Sequence, residues 1–157
     1  MNKFAFFATL CGVMFTASFA QAAGPGPGNP TLTLHFLEIQ TSFATTFSQF
    51  SQRPKLGDRV WFHSELYRWN GGKRGAHAGH TDGTVVILTP NLGEVDAVGY
   101  LPGGTLTVAG QSHNQRTDTF AIVGGTGAFA TARGEVIVRS IGNPNGNKSA
   151  DTIRIWL

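Results

Sequence analysis

The sequence predicts an all-β domain, an eight-stranded antiparallel up-and-down β-barrel with an apolar internal cavity. Three observations predict it. Short runs of β-branched and aromatic residues recur along the chain. Clusters of Gly, Pro and Asn separate them. Beyond residue 30 no stretch holds a convincing helical period.

The chain opens with Asn2-Lys3, a short positive start. Phe4 to Ala20 is uncharged and almost wholly apolar, and Ala20-Gln21-Ala22 supplies small residues for a signal peptidase. Residues 1–22 therefore read as a cleavable signal peptide, which predicts a secreted or periplasmic protein. A retained transmembrane anchor is the competing reading, because the run approaches the roughly 17–20 residues that span a bilayer. Residues 23–30 contain Gly-Pro-Gly-Pro-Gly-Asn-Pro and read as a flexible leader. Residues 31–157 suffice for one domain and not for two.

The strands follow in order. Thr31 to Gln40 is the first, and Asp58 to Trp69, closed by Asn70-Gly71-Gly72, is the second. Gly83 to Thr89 is the third, ended by Pro90-Asn91. Val95 to Leu101 is the fourth, ended by Pro102-Gly103-Gly104. Thr105 to Gly110, Thr117 to Val123, Glu135 to Ile141 and Thr152 to Leu157 complete the set. Between the first two strands, Thr41 to Lys55 carries Phe43, Phe47 and Phe50. It reads either as a turn or two of amphipathic helix or as an aromatic loop over a barrel mouth.

Alternation assigns the faces. Leu32, Leu34, Phe36, Glu38 and Gln40 share one side of the first strand, and Val60, Phe62, Ser64 and Leu66 share one side of the second. A carboxylate and a hydroxyl each sit among apolar neighbours. A ligand cavity in a small barrel needs this mixture of an apolar wall and a few polar groups. Equally open is a Glu38 that reaches water at the strand end, or pairs with Arg133 or Arg154. Trp61, Tyr67 and Trp69 share the opposite face, as a surface buried between subunits or as a stacking platform.

Composition excludes several classes. Net charge is +3, and Lys3 is the one charged residue of the signal segment, so +2 remains without a basic cluster. That excludes a nucleic-acid partner. The single cysteine, Cys11, lies in the signal segment, so no disulfide holds the mature chain. Charged residues are 13% of the sequence, against about 25% in ordinary domains. So little charge, with apolar residues such as Leu37 and Ile39 on outward faces, predicts a homo-oligomer. His77-Ala78-Gly79-His80-Thr81-Asp82 has metal-like spacing, but its glycines make it a hairpin loop in this reading, and no metal or cofactor is expected. Gly124-Gly125-Thr126-Gly127 lacks the Lys-Ser/Thr of a phosphate loop, and no Gly-x-Ser-x-Gly elbow exists.

Phe120 to Val136, FAIVGGTGAFATARGEV, resembles the signature of dirigent proteins and their relatives, the allene oxide cyclases. Leu34-His35-Phe36-Leu37-Glu38-Ile39-Gln40 is similar to the first cyclase strand. Leu56 to Val60, running on to Leu66-Tyr67, resembles the second. Gly104 to Val108 and Asp118 to Gly125 resemble later strands, so the likeness spans nearly the whole of 31–157. It implies a barrel, often a trimer, that binds an apolar or phenolic small molecule and directs its cyclisation or coupling, with a cyclase-type isomerase as the possible activity; a non-catalytic barrel that only binds a hydrophobic ligand and a structural surface oligomer stay open as alternatives. After signal cleavage it implies no membrane association. Carried over by position, Glu38 is the cavity acid, and Gln40 and Ser64 stand where the cyclases have Asn. Thr84 falls at or near a cyclase cysteine. Phe36 and Phe62 would wall the cavity, and Arg133, from the Ala-Arg-Gly corner, would anchor an anionic group. Ala128 replaces the acidic residue that dirigent proteins carry after Gly-Gly-Thr-Gly.

Overall fold

The computed structural model describes residues 28–47, 53–113, 115–142 and 147–157. The expected signal peptide and most of the expected leader lie outside the described residues, as does Phe50. Among the described residues eight strands form: β1 (Leu32–Thr45), β2 (Arg59–Asn70), β3 (Lys73–Thr89), β4 (Leu92–Leu101), β5 (Gly104–Ser112), β6 (Thr117–Gly125), β7 (Arg133–Ser140) and β8 (Lys148–Trp156). Each pairs antiparallel with the next, and β8 returns to β1, so the sheet is a closed barrel. Closure leaves no unpaired strand edge.

Turn chemistry sets the hairpins. Asn70 pairs with Lys73 across Gly71-Gly72. Both glycines have positive φ, 58° and 101°, as a two-residue turn between right-twisted strands requires. The Gly-Gly-Thr-Gly corner packs on the β4–β5 turn. Ala128 N–H donates to the Gly103 carbonyl (2.8 Å), and Thr126 N–H to the Thr105 carbonyl (3.0 Å). A 3-10 turn, Gly127–Phe129, then drops Phe129 into the core, and Ala132 follows fully buried. The core cluster runs from Phe129, Ala132 and Ile155 through Leu106, Ile122 and Val136 to Phe36 and Leu66.

Three expectations are corrected. The third strand starts at Lys73, not Gly83, so His77 to Asp82 is strand and not hairpin loop. Its glycines belong to a bent wall: Gly79, φ 144°, sits where the β2–β3 register shifts, and a Cβ there would overlap the Tyr100 carbonyl oxygen. The segment after Gln40 is neither helix nor loop at first. A register shift between Gln40 and Ser42 carries β1 on to Thr45. Finally, β8 begins at Lys148 rather than Thr152. At the other end of the chain, the Trp156 indole N–H donates to the Gly28 carbonyl (2.8 Å), so the last part of the expected leader lies against the barrel.

Candidate functional site

The barrel encloses a cavity of about 80 Å³. Its wall is apolar, dominated by Phe36, Phe62, Leu66, Leu106, Phe120 and Val138. Its polar side chains are Glu38, Asp151 and Thr81. The β1–β8 register pairs Phe36 with Asp151 and Glu38 with Ser149. Glu38 and Asp151 are thus diagonal neighbours on the inner face, within side-chain reach across two strands. On its other side Asp151 is paired with Val138 of β7.

Asp151 is 4% exposed. One of its carboxyl oxygens, Oδ1, has no hydrogen-bond partner among the described residues. Burial pushes its carboxyl well above the usual carboxylate range. The negative charge of Glu38 and a hydrogen bond with Glu38 add to that, while a hydrogen bond with Ser149 works the other way. A carboxyl that keeps its proton beside a second carboxylate can donate a hydrogen bond or a proton inside an apolar space.

The sequence-derived candidates divide. Phe36, Phe62 and Glu38 line the cavity. Ser64 is 1% exposed, in register with Gln40 on one side and Thr81 on the other, in the wall rather than at the cavity surface. Gln40 sits at the β1 register shift, and its backbone exchanges hydrogen bonds with Asn147 (2.8 Å each). Thr84 and Arg133, expected to bind substrate, are not among the residues that line the cavity. Thr84 is in register with Trp61 and Asp96 and lines an outer groove beside them. The inward hydroxyl of β3 is Thr81, an odd number of residues away, and the side-chain period of two decides which face each takes. Arg133 is exposed at the start of β7, and its guanidinium donates to the Ala132 carbonyl (2.8 Å). Arg154 pairs instead with Glu135 at 2.8 Å.

Asp151 is the residue the sequence reading missed. Its signal was present: Ser149, Asp151, Ile153 and Ile155 alternate onto one face, so Asp151 continues an apolar stripe. Starting the strand at Thr152 hid it. Among the described residues no group of three or more His, Cys, Asp or Glu is placed to hold a metal ion.

The model of the dirigent-like protein family matches residues 71–154, more than half of the chain. The chain belongs to the dirigent-like family. Its barrel is similar to that of a pyocyanin demethylase, with a TM-score of 0.63 and 20% identity over 80% of this chain and 100% of the other. It is similar to a pterocarpan synthase dirigent protein, with a TM-score of 0.62 and 17% identity over 79% and 82%. An exo-specific intermolecular Diels-Alderase gives a TM-score of 0.61 and 17% identity over 78% and 96%. At such identities these likenesses establish the shared barrel. No curated protein sequence matches the chain. Within this dirigent-like barrel, the Gly-Gly-Thr-Gly corner that carried the resemblance closes on the β4–β5 turn, and the Glu38–Asp151 pair lies in the cavity.

Proposed function

We propose that this dirigent-like barrel takes up an apolar or phenolic small molecule and directs its cyclisation by proton transfer from the Glu38–Asp151 pair, or steers the stereoselective coupling of phenolic intermediates that an external one-electron oxidant has already oxidised. One observation carries the reading. Asp151 is buried in an apolar cavity with an unpaired oxygen and a second carboxyl beside it. Such an arrangement costs folding energy, on the order of 1–3 kcal/mol for an unsatisfied buried group, and a ligand polar group would relieve it. The named activities of the similar structures, a demethylase, a pterocarpan synthase and a Diels-Alderase, support a barrel that houses a reaction.

The cyclisation balances without a co-reactant. Protonated Asp151 donates to an oxygen of a strained or conjugated substrate, and the C–O bond opens or polarises. The Glu38 carboxylate faces the developing cation. Ring closure forms the new bond, and the released proton returns to the carboxyl pair, so the net change is an isomerisation. Phe36, Phe62 and Phe120 restrict the conformations open to the reacting chain, which supplies the steering. Export through residues 1–22 and assembly into a homo-oligomer, a trimer by family resemblance, complete the proposal. Trp61 and Tyr100, 42% and 41% exposed on the outer wall, support the assembly.

Native mass spectrometry of the purified protein, followed by turnover assays on whatever ligand it carries, tests the reading. A cavity ligand lost in Asp151→Leu supports it. A protein that carries and binds no apolar ligand across a panel of phenolic and epoxide probes would end it.

A further inference from the structure

The outer face of β2 and β3 carries a chain of alternating imidazoles and carboxylates. His77 Nε2 lies 2.5 Å from Glu65 Oε2, and Glu65 Oε1 lies 3.3 Å from His63 Nε2. His63 Nδ1 lies 2.6 Å from Asp82 Oδ1, whose other oxygen is 3.7 Å from His80 Nε2. The ends are braced by rings. His80 stacks on Tyr100 of β4 with centroids 4.5 Å apart, His77 meets Tyr67 edge-on, and the Arg74 guanidinium sits 3.5 Å over the Tyr67 ring.

Both ring nitrogens of His63 face carboxylate oxygens. Neutral imidazole has one N–H, so its second nitrogen would oppose its lone pair to a carboxylate. Only the imidazolium satisfies both contacts. The same strands face the cavity with their alternate residues. His63 stands between Phe62 and Ser64, and Asp82 between Thr81 and Gly83, so the chain is fastened to the back of the cavity wall. That wall must move for the proposed function. A cavity of about 80 Å³ is well below the roughly 300–1,000 Å³ of small-molecule pockets.

We propose that the chain His77–Glu65–His63–Asp82–His80 is a proton-operated latch, which holds β2 against β3 in mildly acid solution and releases above neutrality so that the wall can spread and admit ligand. The gating half rests on the cavity reading; the latch does not. Other groups facing the chain are few. From β4 they are Tyr100 and Asp96, the latter in register with Thr84 and diagonal to Asp82. From β1 the register partners of Glu65 and His63 are Ile39 and Ser42, both uncharged, and Thr41 Oγ1 donates to the His63 carbonyl.

The sign follows from the partners. The bonds from Asp82 and then Glu65 raise His63 above its ordinary 6.5. Its contribution is therefore full below 6.5 and lost as pH climbs through the raised folded value. Glu65 is held below its ordinary 4.5 by His77 and then His63. Its contribution is present above 4.5 and lost as pH falls through the lowered value. The His63–Glu65 link at the centre of the latch is complete between about pH 4.5 and 6.5.

The test is amide hydrogen exchange at pH 5.5 and 8.5, corrected for intrinsic rates, with uptake of the neutral dye N-phenyl-1-naphthylamine measured in parallel. Protection of β2 and β3 amides should fall about tenfold from pH 5.5 to 8.5 relative to β6 and β7, and dye uptake should quicken with it. In His63→Gln both steps should vanish, with the high-pH behaviour at either pH. Asp82→Asn, which severs the same link, replaces it if that variant misfolds. Equal protection of the wild-type wall at both pH values, or a step retained in both variants, overturns the latch and leaves the ligand reading standing. An exchange step with no dye entry at either pH overturns the gating and counts against the cavity reading.

Discussion

Asp151 of β8 and Glu38 of β1 face one apolar cavity from adjacent strands, diagonal to each other and two residues out of direct register across the seam where the barrel closes. Neither could meet the other in an open sheet, because β1 and β8 are neighbours only through closure. The site is therefore a product of the barrel topology.

Asp151→Asn should separate stability from function. The amide keeps the volume and removes a carboxyl that burial and the Glu38 charge disfavour. We expect the melting temperature at neutral pH to rise, by a stabilisation of about 1–3 kcal/mol, while turnover is lost. The pH dependence should change too. Because the folded carboxyl titrates above its ordinary 3.8, its contribution is full below that value and is lost as pH rises to the raised one. Wild type should therefore lose stability over that span, and Asp151→Asn should not. Thermal melts across pH 3 to 8 on both proteins check this.

Glu38→Gln should abolish turnover while ligand binding survives, since the amide keeps the shape and loses the proton acceptor. Isothermal titration and single-turnover assays on the same ligand distinguish the outcomes. Unchanged turnover would remove Glu38 from the chemistry.

Gly83→Val should shrink the cavity. A Cβ at Gly83 would overlap the Phe62 ring and crowd the Ala97 Cβ. The ring must move into the cavity, with a destabilisation of about 1–3 kcal/mol and weaker ligand capture. Phe62→Ala should cost about 3–5 kcal/mol and admit bulkier probes. A graded series of phenolic ligands, ranked by affinity in both variants, reads the opposite signs.

Arg133→Ala should leave ligand affinity unchanged and shift stability by no more than about 0.5 kcal/mol, because the side chain is exposed and bonded to its neighbour's carbonyl. A tenfold loss of affinity for an anionic ligand would restore the anchoring role that the sequence suggested.

Much of the fold was legible in the sequence because its signals are local. Strand runs, turn glycines and the period of two are set within a few residues, and they placed Phe36, Glu38, Phe62 and Ser64 on inner faces before any pairing was known. The Gly-Gly-Thr-Gly corner and its flanking strands carried the family. Tertiary structure alone decided the rest. Gly79 read as loop and Gly83 as the start of a strand, yet both serve a curved wall in which backbone and a phenylalanine ring approach too closely for any side chain. Thr84 entered the candidate site by resemblance alone, and its register with Trp61 and Asp96 places it in the outer groove. The partnership of Glu38 with Asp151, and the chain from His77 to His80, join residues distant in sequence or on separate strands. Their meeting is set by register and by closure, which no local pattern encodes.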